Sequence, residues 1–173
     1  MKIFADTAKR MDKLLGSPPE RGASLVELLV AIAISLLVFS VLSSALVQFL
    51  LTTRWGNNQL QATNDIQVTS LWLGRDAPEA ASFTPGAGNV YGTLAWADSS
   101  QEYLYSYDSL NGALVREHYD TGVLQSTTTV ARHIQDQGDV SFSTSGHLLS
   151  VSITSTSGDE IESALLNFAL RTR

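Results

Sequence analysis

From Leu28 to Thr53 the chain carries no charged residue, and only Ser, Gln and Thr interrupt a run of Leu, Ala, Val, Ile and Phe. The run contains neither Pro nor Gly. As a helix it would extend about 39 Å, at 1.5 Å per residue, against a hydrocarbon layer about 30 Å thick. Such a segment is expected to cross a membrane as a single helix. A cleaved secretory peptide is the competing reading, but its apolar region spans only about 7–15 residues. The longer run predicts that the helix is retained.

Charge is divided by this run. Up to Gly22 there are five Lys or Arg and three acids; beyond it there are six Arg, no Lys and fourteen acids. A basic flank before the helix and an acidic segment after it place the N-terminus in the cytoplasm and the remainder across the membrane. The remaining ~120 residues are enough for one small domain. An acidic domain without a basic run argues against nucleic-acid binding by this subunit alone. The chain has no cysteine, which excludes disulfides and thiolate metal sites.

Residues 1–22 are assigned no fold, and Ser17-Pro18-Pro19 prevents helix just before Arg21. After the apolar run, Arg54 and Trp55 suit a membrane interface. Leu60, Ala62, Ile66, Val68, Leu71, Trp72 and Leu73 have helical spacing, so one long helix, loosened at Gly56, is expected. Pro78 should close it near Arg75 to Ala77 or shortly beyond. The period then changes to two. Strands are expected at Val90–Ala97, Glu102–Tyr107, Ala113–Tyr119, Val123–Gln125, Val140–Ser143, Leu148–Ser155 and Glu162–Leu170. Asn111-Gly112 and Ser157-Gly158-Asp159 mark hairpin turns, Phe83 to Gly88 reads as a loop, and Val130 to Ile134 as a short helical turn.

Directly before the apolar run stands Arg21-Gly22-Ala23-Ser24-Leu25-Val26-Glu27. A basic leader ending in Gly, an acid five residues on and an uncharged run of about twenty residues together resemble the class III signal of type IV pilins and type II secretion pseudopilins. The resemblance implies cleavage by a prepilin peptidase between Gly22 and Ala23, with N-methylation of the new Ala23 terminus as a further modification. Ala23 stands where Phe or Met is usual in the family. Glu27, the fifth mature residue, is implied as an assembly charge that meets a neighbouring subunit's α-amino group. The implied organisation is a cleaved leader at 1–22, a transmembrane and filament-core helix at 23–54, and an exported globular domain at 55–173. The fold expected is α+β and pilin-like: a long N-terminal helix packed on an antiparallel sheet.

Leu73-Gly74-Arg75-Asp76 with Ala80 is similar to the segment after the helix in minor pilins of the W type and J-type minor pseudopilins, and Leu114-Val115-Arg116-Glu117 is similar to their aliphatic-Arg strand. Ser44 stands where major pilins carry a helix-breaking Pro. The function implied is a minor pilin or pseudopilin, an assembly subunit of a type IV pilus or type II secretion filament. Its implied partners are other pilins or pseudopilins, the prepilin peptidase, the inner-membrane assembly platform and, before assembly, membrane lipid. It would be a single-pass inner-membrane protein before its domain reaches the filament or cell surface. The alternative is a membrane-anchored exported binding or adhesin domain that does not polymerise.

Other chemistry finds little support, and the chain is read as neither an enzyme nor a cofactor carrier. His118, His133 and His147 lack ligand spacing, and no Ser has a nucleophile-elbow context. Asp98, Asp108, Asp120, Asp136 and Asp139 read as turn residues, without the calcium-loop pattern. Arg75-Asp76 is expected to form an ion pair at the helix end, linking helix and sheet. Ser24, Glu27, Ala31 and Ser35, and then Ser40, Ser43, Ser44 and Gln48, form narrow small or polar faces that suit close helix packing. Mass spectrometry of membrane-extracted protein is expected to find a terminus at Ala23. Gly22→Val should leave the chain beginning at Met1.

Overall fold

The computed structural model describes residues 24–171, and the expectations for residues 1–23, including Gly22 and Ala23, lie outside the described residues. The chain divides into two compact units between Gln48 and Phe49. One 55-residue helix, α1, runs from Leu25 to Glu79 through both. No break occurs at Gly56: Leu, Gln, Asn and Thr on either side hold helical geometry, and one glycine costs only about 1 kcal/mol. Pro78 sits in the last turn, and the helix ends two residues past Ala77.

In the first unit every described side chain is exposed, including Leu28, Ile34, Phe39 and Leu46. The most apolar 18-residue window of α1 has mean hydropathy 2.8 and buries none of itself within the protein. Length and composition suit it to a membrane.

The second unit is antiparallel throughout. Five strands form a meander in chain order: β1 (Ser82–Pro85), β2 (Val90–Ala95), β3 (Gln101–Asp108), β4 (Ala113–Asp120) and β5 (Val123–Ala131). A one-turn 3-10 helix at Gln137–Asp139 leads to a separate three-stranded sheet of β6 (Val140–Ser145), β7 (Leu148–Ser157) and β8 (Glu160–Ala169). The architecture is a long, N-terminally apolar helix packed on antiparallel sheet, an α+β pilin-like arrangement.

Strand periodicity explains the packing. On β7, Leu149, Val151, Ile153, Ser155 and Ser157 are buried, while the alternate residues face outward. They meet a helical stripe of Ala62, Asp65, Thr69, Leu73, Asp76 and Ala77, whose three- and four-residue spacing defines one face of α1. Phe142 of β6 joins the two sheets. Its ring lies 5.8 Å from Phe83, 5.6 Å from Tyr91 and 5.5 Å from Tyr105.

Two local expectations are corrected. Phe83 to Gly88 is not wholly loop, because Ser82–Pro85 pairs with Gly92–Ala95 as an edge strand. Val130 and Ala131 do not begin a helical turn but end β5, and the turn of helix comes later, at Gln137. There the Asp136 backbone N–H donates to the Asp139 carboxylate at 2.9 Å. Gly112, with φ +58, closes the β3–β4 turn, and an added Cβ would strike the Ile134 carbonyl.

Leu73 is fully buried between α1 and the sheets. In a fragment beginning at Trp55, we expect one cooperative denaturant transition. Leu73→Ala should lower its stability by about 2–5 kcal/mol, read from the shift in midpoint at constant m.

Candidate functional site

The helix begins at Leu25, and Ser24 caps it. The Glu27 backbone N–H donates to Ser24 Oγ at 3.3 Å, and Leu28 N–H to the Ser24 carbonyl at 3.1 Å. Ser24-Leu25-Val26-Glu27 is therefore a capping-box sequence, a signal legible in the chain and not used in reading it. Glu27 lies in the first turn, where the helix dipole favours an anion by about 0.3–1 kcal/mol. Its neighbours Leu25, Val26 and Leu28 are all more than half exposed. The structure thus gives Glu27 a local reason to sit at this helix end and leaves it open to another chain.

The small-residue face continues from there. Ser35 Oγ donates to the Ala31 carbonyl at 2.7 Å, which satisfies the hydroxyl within its own helix. Ala31 and Ser35 line a shallow groove with Leu28, Ile32, Leu36 and Phe39. Small side chains in such a groove let a second helix approach closely.

In the second unit, two carboxylates fix α1 to the sheets. Asp76 is fully buried, but its partner is not Arg75. Arg116 of β4 reaches it instead, with Nε at 2.5 Å from Oδ2 and Nη2 donating to Oδ1 at 2.8 Å. The expected Arg75–Asp76 pair fails because adjacent helical residues point about 100° apart. Asp76 faces the sheets, whereas Arg75 is exposed and lies over the Trp72 ring. Tyr105 OH donates to Asp76 Oδ2 at 2.7 Å. The Arg116 guanidinium lies 4.5 Å from the Trp72 ring centre and 4.4 Å from that of Tyr103.

The electrostatics follow from that geometry. Burial alone would lower the Arg116 pKa, but hydrogen bonding and the charge of Asp76 outweigh it and raise it. Burial, with the charge of Asp76 next, pushes the Tyr105 hydroxyl well above its ordinary range, so it stays a donor. Leu73-Gly74-Arg75-Asp76 and Leu114-Val115-Arg116-Glu117, separate in sequence, meet through Asp76 and Arg116.

Eleven residues earlier on the same helical face, Asp65 makes the second connection, which sequence reading missed. Its Oδ2 accepts from the backbone N–H groups of Arg132 at 3.1 Å and His133 at 2.9 Å, and from Ser155 Oγ at 3.0 Å. His133 Nδ1 lies 2.9 Å away. The available signal was an acid, like Asp76, at helical spacing among Ala62, Thr69, Leu73 and Ala77, which demands partners when buried. His118 Nε2 is 2.5 Å from Gln101 Oε1. Asp98 and Asp108 accept bonds within their own turns, and those bonds hold both carboxyls below the usual range. Among the described residues no three His, Cys, Asp or Glu gather as a metal site.

Residues 18–45 match the family described as the prokaryotic N-terminal methylation motif. The match begins before Gly22 and covers Glu27 and the apolar run as far as residue 45. It supports a prepilin-type signal, with processing by a prepilin peptidase and assembly with other pilins in general. Together with the fold it suggests a structural rather than a catalytic protein. The motif and the long apolar helix are consistent with anchoring in the inner membrane. No curated protein and no solved structure matches the chain.

Arg116→Met would leave Asp76 buried without its cation and should cost about 3–5 kcal/mol. Adding Asp76→Asn should recover part of that loss, because the uncompensated charge is removed. A double-mutant cycle on the denaturant midpoints should show strong coupling, of order 1–3 kcal/mol.

Proposed function

We propose that this chain is a minor pilin or minor pseudopilin, an assembly subunit of a type IV pilus or type II secretion filament. One observation carries the reading. The methylation motif at 18–45 coincides with a helix whose apolar side chains are left uncovered by the protein's own fold. Lipid covers them first, and neighbouring subunits' helices replace lipid on assembly. The minor subtype draws support from the meeting of the two W-type and J-type segments at Asp76 and Arg116. Ser44, in place of a helix-breaking Pro, leaves α1 continuous at that point.

In this function residues 1–22 are the leader, 23–54 the membrane and filament-core segment, and 55–173 the exported domain. Prepilin peptidase cuts between Gly22 and Ala23 and leaves a positive α-amino group, whether or not it is then methylated. Glu27 of one subunit neutralises Ala23 of the next within a water-poor helix bundle. An ion pair in such surroundings gains more from Coulomb attraction than one in water, and an unpaired charge there is costly. Only registers that bring the two groups together avoid that cost, so the charge selects how subunits dock.

Glu27→Gln isolates the charge, because Gln also serves at the third position of a capping box. Leader removal and membrane level should match wild type. Recovery of tagged protein in sheared filaments, or with partner pilins after extraction, should fall at least tenfold relative to the membrane pool. Equal recovery of the two proteins would favour an anchored binding domain that does not polymerise.

A further inference from the structure

The two sheets leave four open edges, and three of them carry features that discourage a further strand. β1 has four residues and includes Pro85, which cannot donate a backbone hydrogen bond. β5 is interrupted by two register shifts against β4, at Leu114/Val115 and His118/Tyr119. β6 has six residues and lies against β1 and β2 of the other sheet. These are the devices by which natural sheets blunt their edges.

β8 lacks the short length, the Pro and the bulges, and its charges, Glu160 and Glu162, are confined to its first three residues. It is ten residues long, keeps unbroken register with β7 from Glu160 to Ala169, and contains no Lys, Pro or Gly. Among the described residues its backbone bonds only to β7. Ile161 and Leu165 on its outward face are 65% and 66% exposed. Beside it, Leu166 and Ile66, Gln67, Ser70 and Leu71 of α1 line an open groove of ≈440 Å³. Acids and a base bracket the strand: Asp159, Glu160 and Glu162 at its start and Arg171 just past its end, none in an ion pair among the described residues.

We propose that the open edge of β8 receives an extended segment of a different subunit, which adds a fourth strand to the β6–β7–β8 sheet. Backbone hydrogen bonds supply the affinity, and alternate apolar side chains on the incoming segment meet Ile161 and Leu165. The charges set its direction, with a basic residue opposite the Asp159–Glu162 end and an acidic one opposite Arg171. A second copy related by a two-fold axis does not fit. β8 runs in the same direction as α1, since Ser157 bonds Gln61, Leu166 lies beside Ile66 and Leu71, and Phe168 lies beside Gly74. Antiparallel pairing of two β8 strands would therefore set the helical segments 49–79 of the copies antiparallel and send their N-terminal ends in opposite directions.

The proposal rests on the reading of the chain as an assembling subunit, and the test separates the two. A photo-activatable benzoylphenylalanine is placed at Ser163 of the full-length protein in its own membrane, and adducts are mapped by mass spectrometry. The expected result is a covalent link to an extended, apolar-alternating segment of another subunit bearing a prepilin-type signal. Leu165→Lys should reduce that adduct at least tenfold at equal membrane level, whereas Leu124→Lys on the β5 edge should not. Hydrogen exchange of the β8 amides should slow at least tenfold in the assembled protein. Incorporation without an adduct or amide protection, an adduct to a helix or to a second copy of this chain, or an unchanged adduct in Leu165→Lys overturns edge pairing alone. Failure of the wild-type chain to enter any assembly overturns both readings.

Discussion

The second unit depends on a buried charge being answered from another element. Asp76 is fully buried, so helix and sheet must meet where Arg116 and Tyr105 reach it. Apolar contacts alone would tolerate a slide of α1 across the sheets by a turn, because one aliphatic surface resembles the next. A bidentate guanidinium–carboxylate pair does not tolerate it. Asp65, with three donors from Arg132, His133 and Ser155 on a single oxygen, repeats the constraint three turns earlier. Two such points on one face fix both the position and the rotation of the helix.

The first unit follows the opposite rule. Between Leu28 and Gln48 nothing charged stands on the helix, and nothing in the fold covers it. Its polar and small features are few: Glu27 is exposed in the first turn, and Ala31 and Ser35 lie in a shallow groove. A single chain thus uses buried charge to hold its own parts together and holds one exposed charge where another molecule can reach it.

Most of this was legible in the sequence where one physical signal dominated. The uncharged run, the change to a period of two after Asn89 and the Asn-Gly and Ser-Gly-Asp turns gave the helix and most of the strands. β1 escaped notice because four residues ending in Pro carry too little alternation to register. Most of β5 escaped because Ser126 to Thr129 is polar on both faces, as an edge strand exposed on both sides can be. The partner of Asp76 was misjudged because sequence adjacency suggested Arg75, while helical rotation separates the two. Gly22 and Glu27 stood out because the spacing between them, not their surroundings, marks them.

The ordered contacts along α1 carry a mechanical consequence. The Ser157–Gln61 hydrogen bond, the Asp65 cluster, the packing of Phe168 on Gly74 and the Asp76–Arg116 pair succeed one another along the helix. A pull along the helix axis loads all of them together, in shear, so that none can open until the others yield. A pull at right angles would peel them one at a time. The unit is therefore a strong grip against tension along its helix and a weak one against prying.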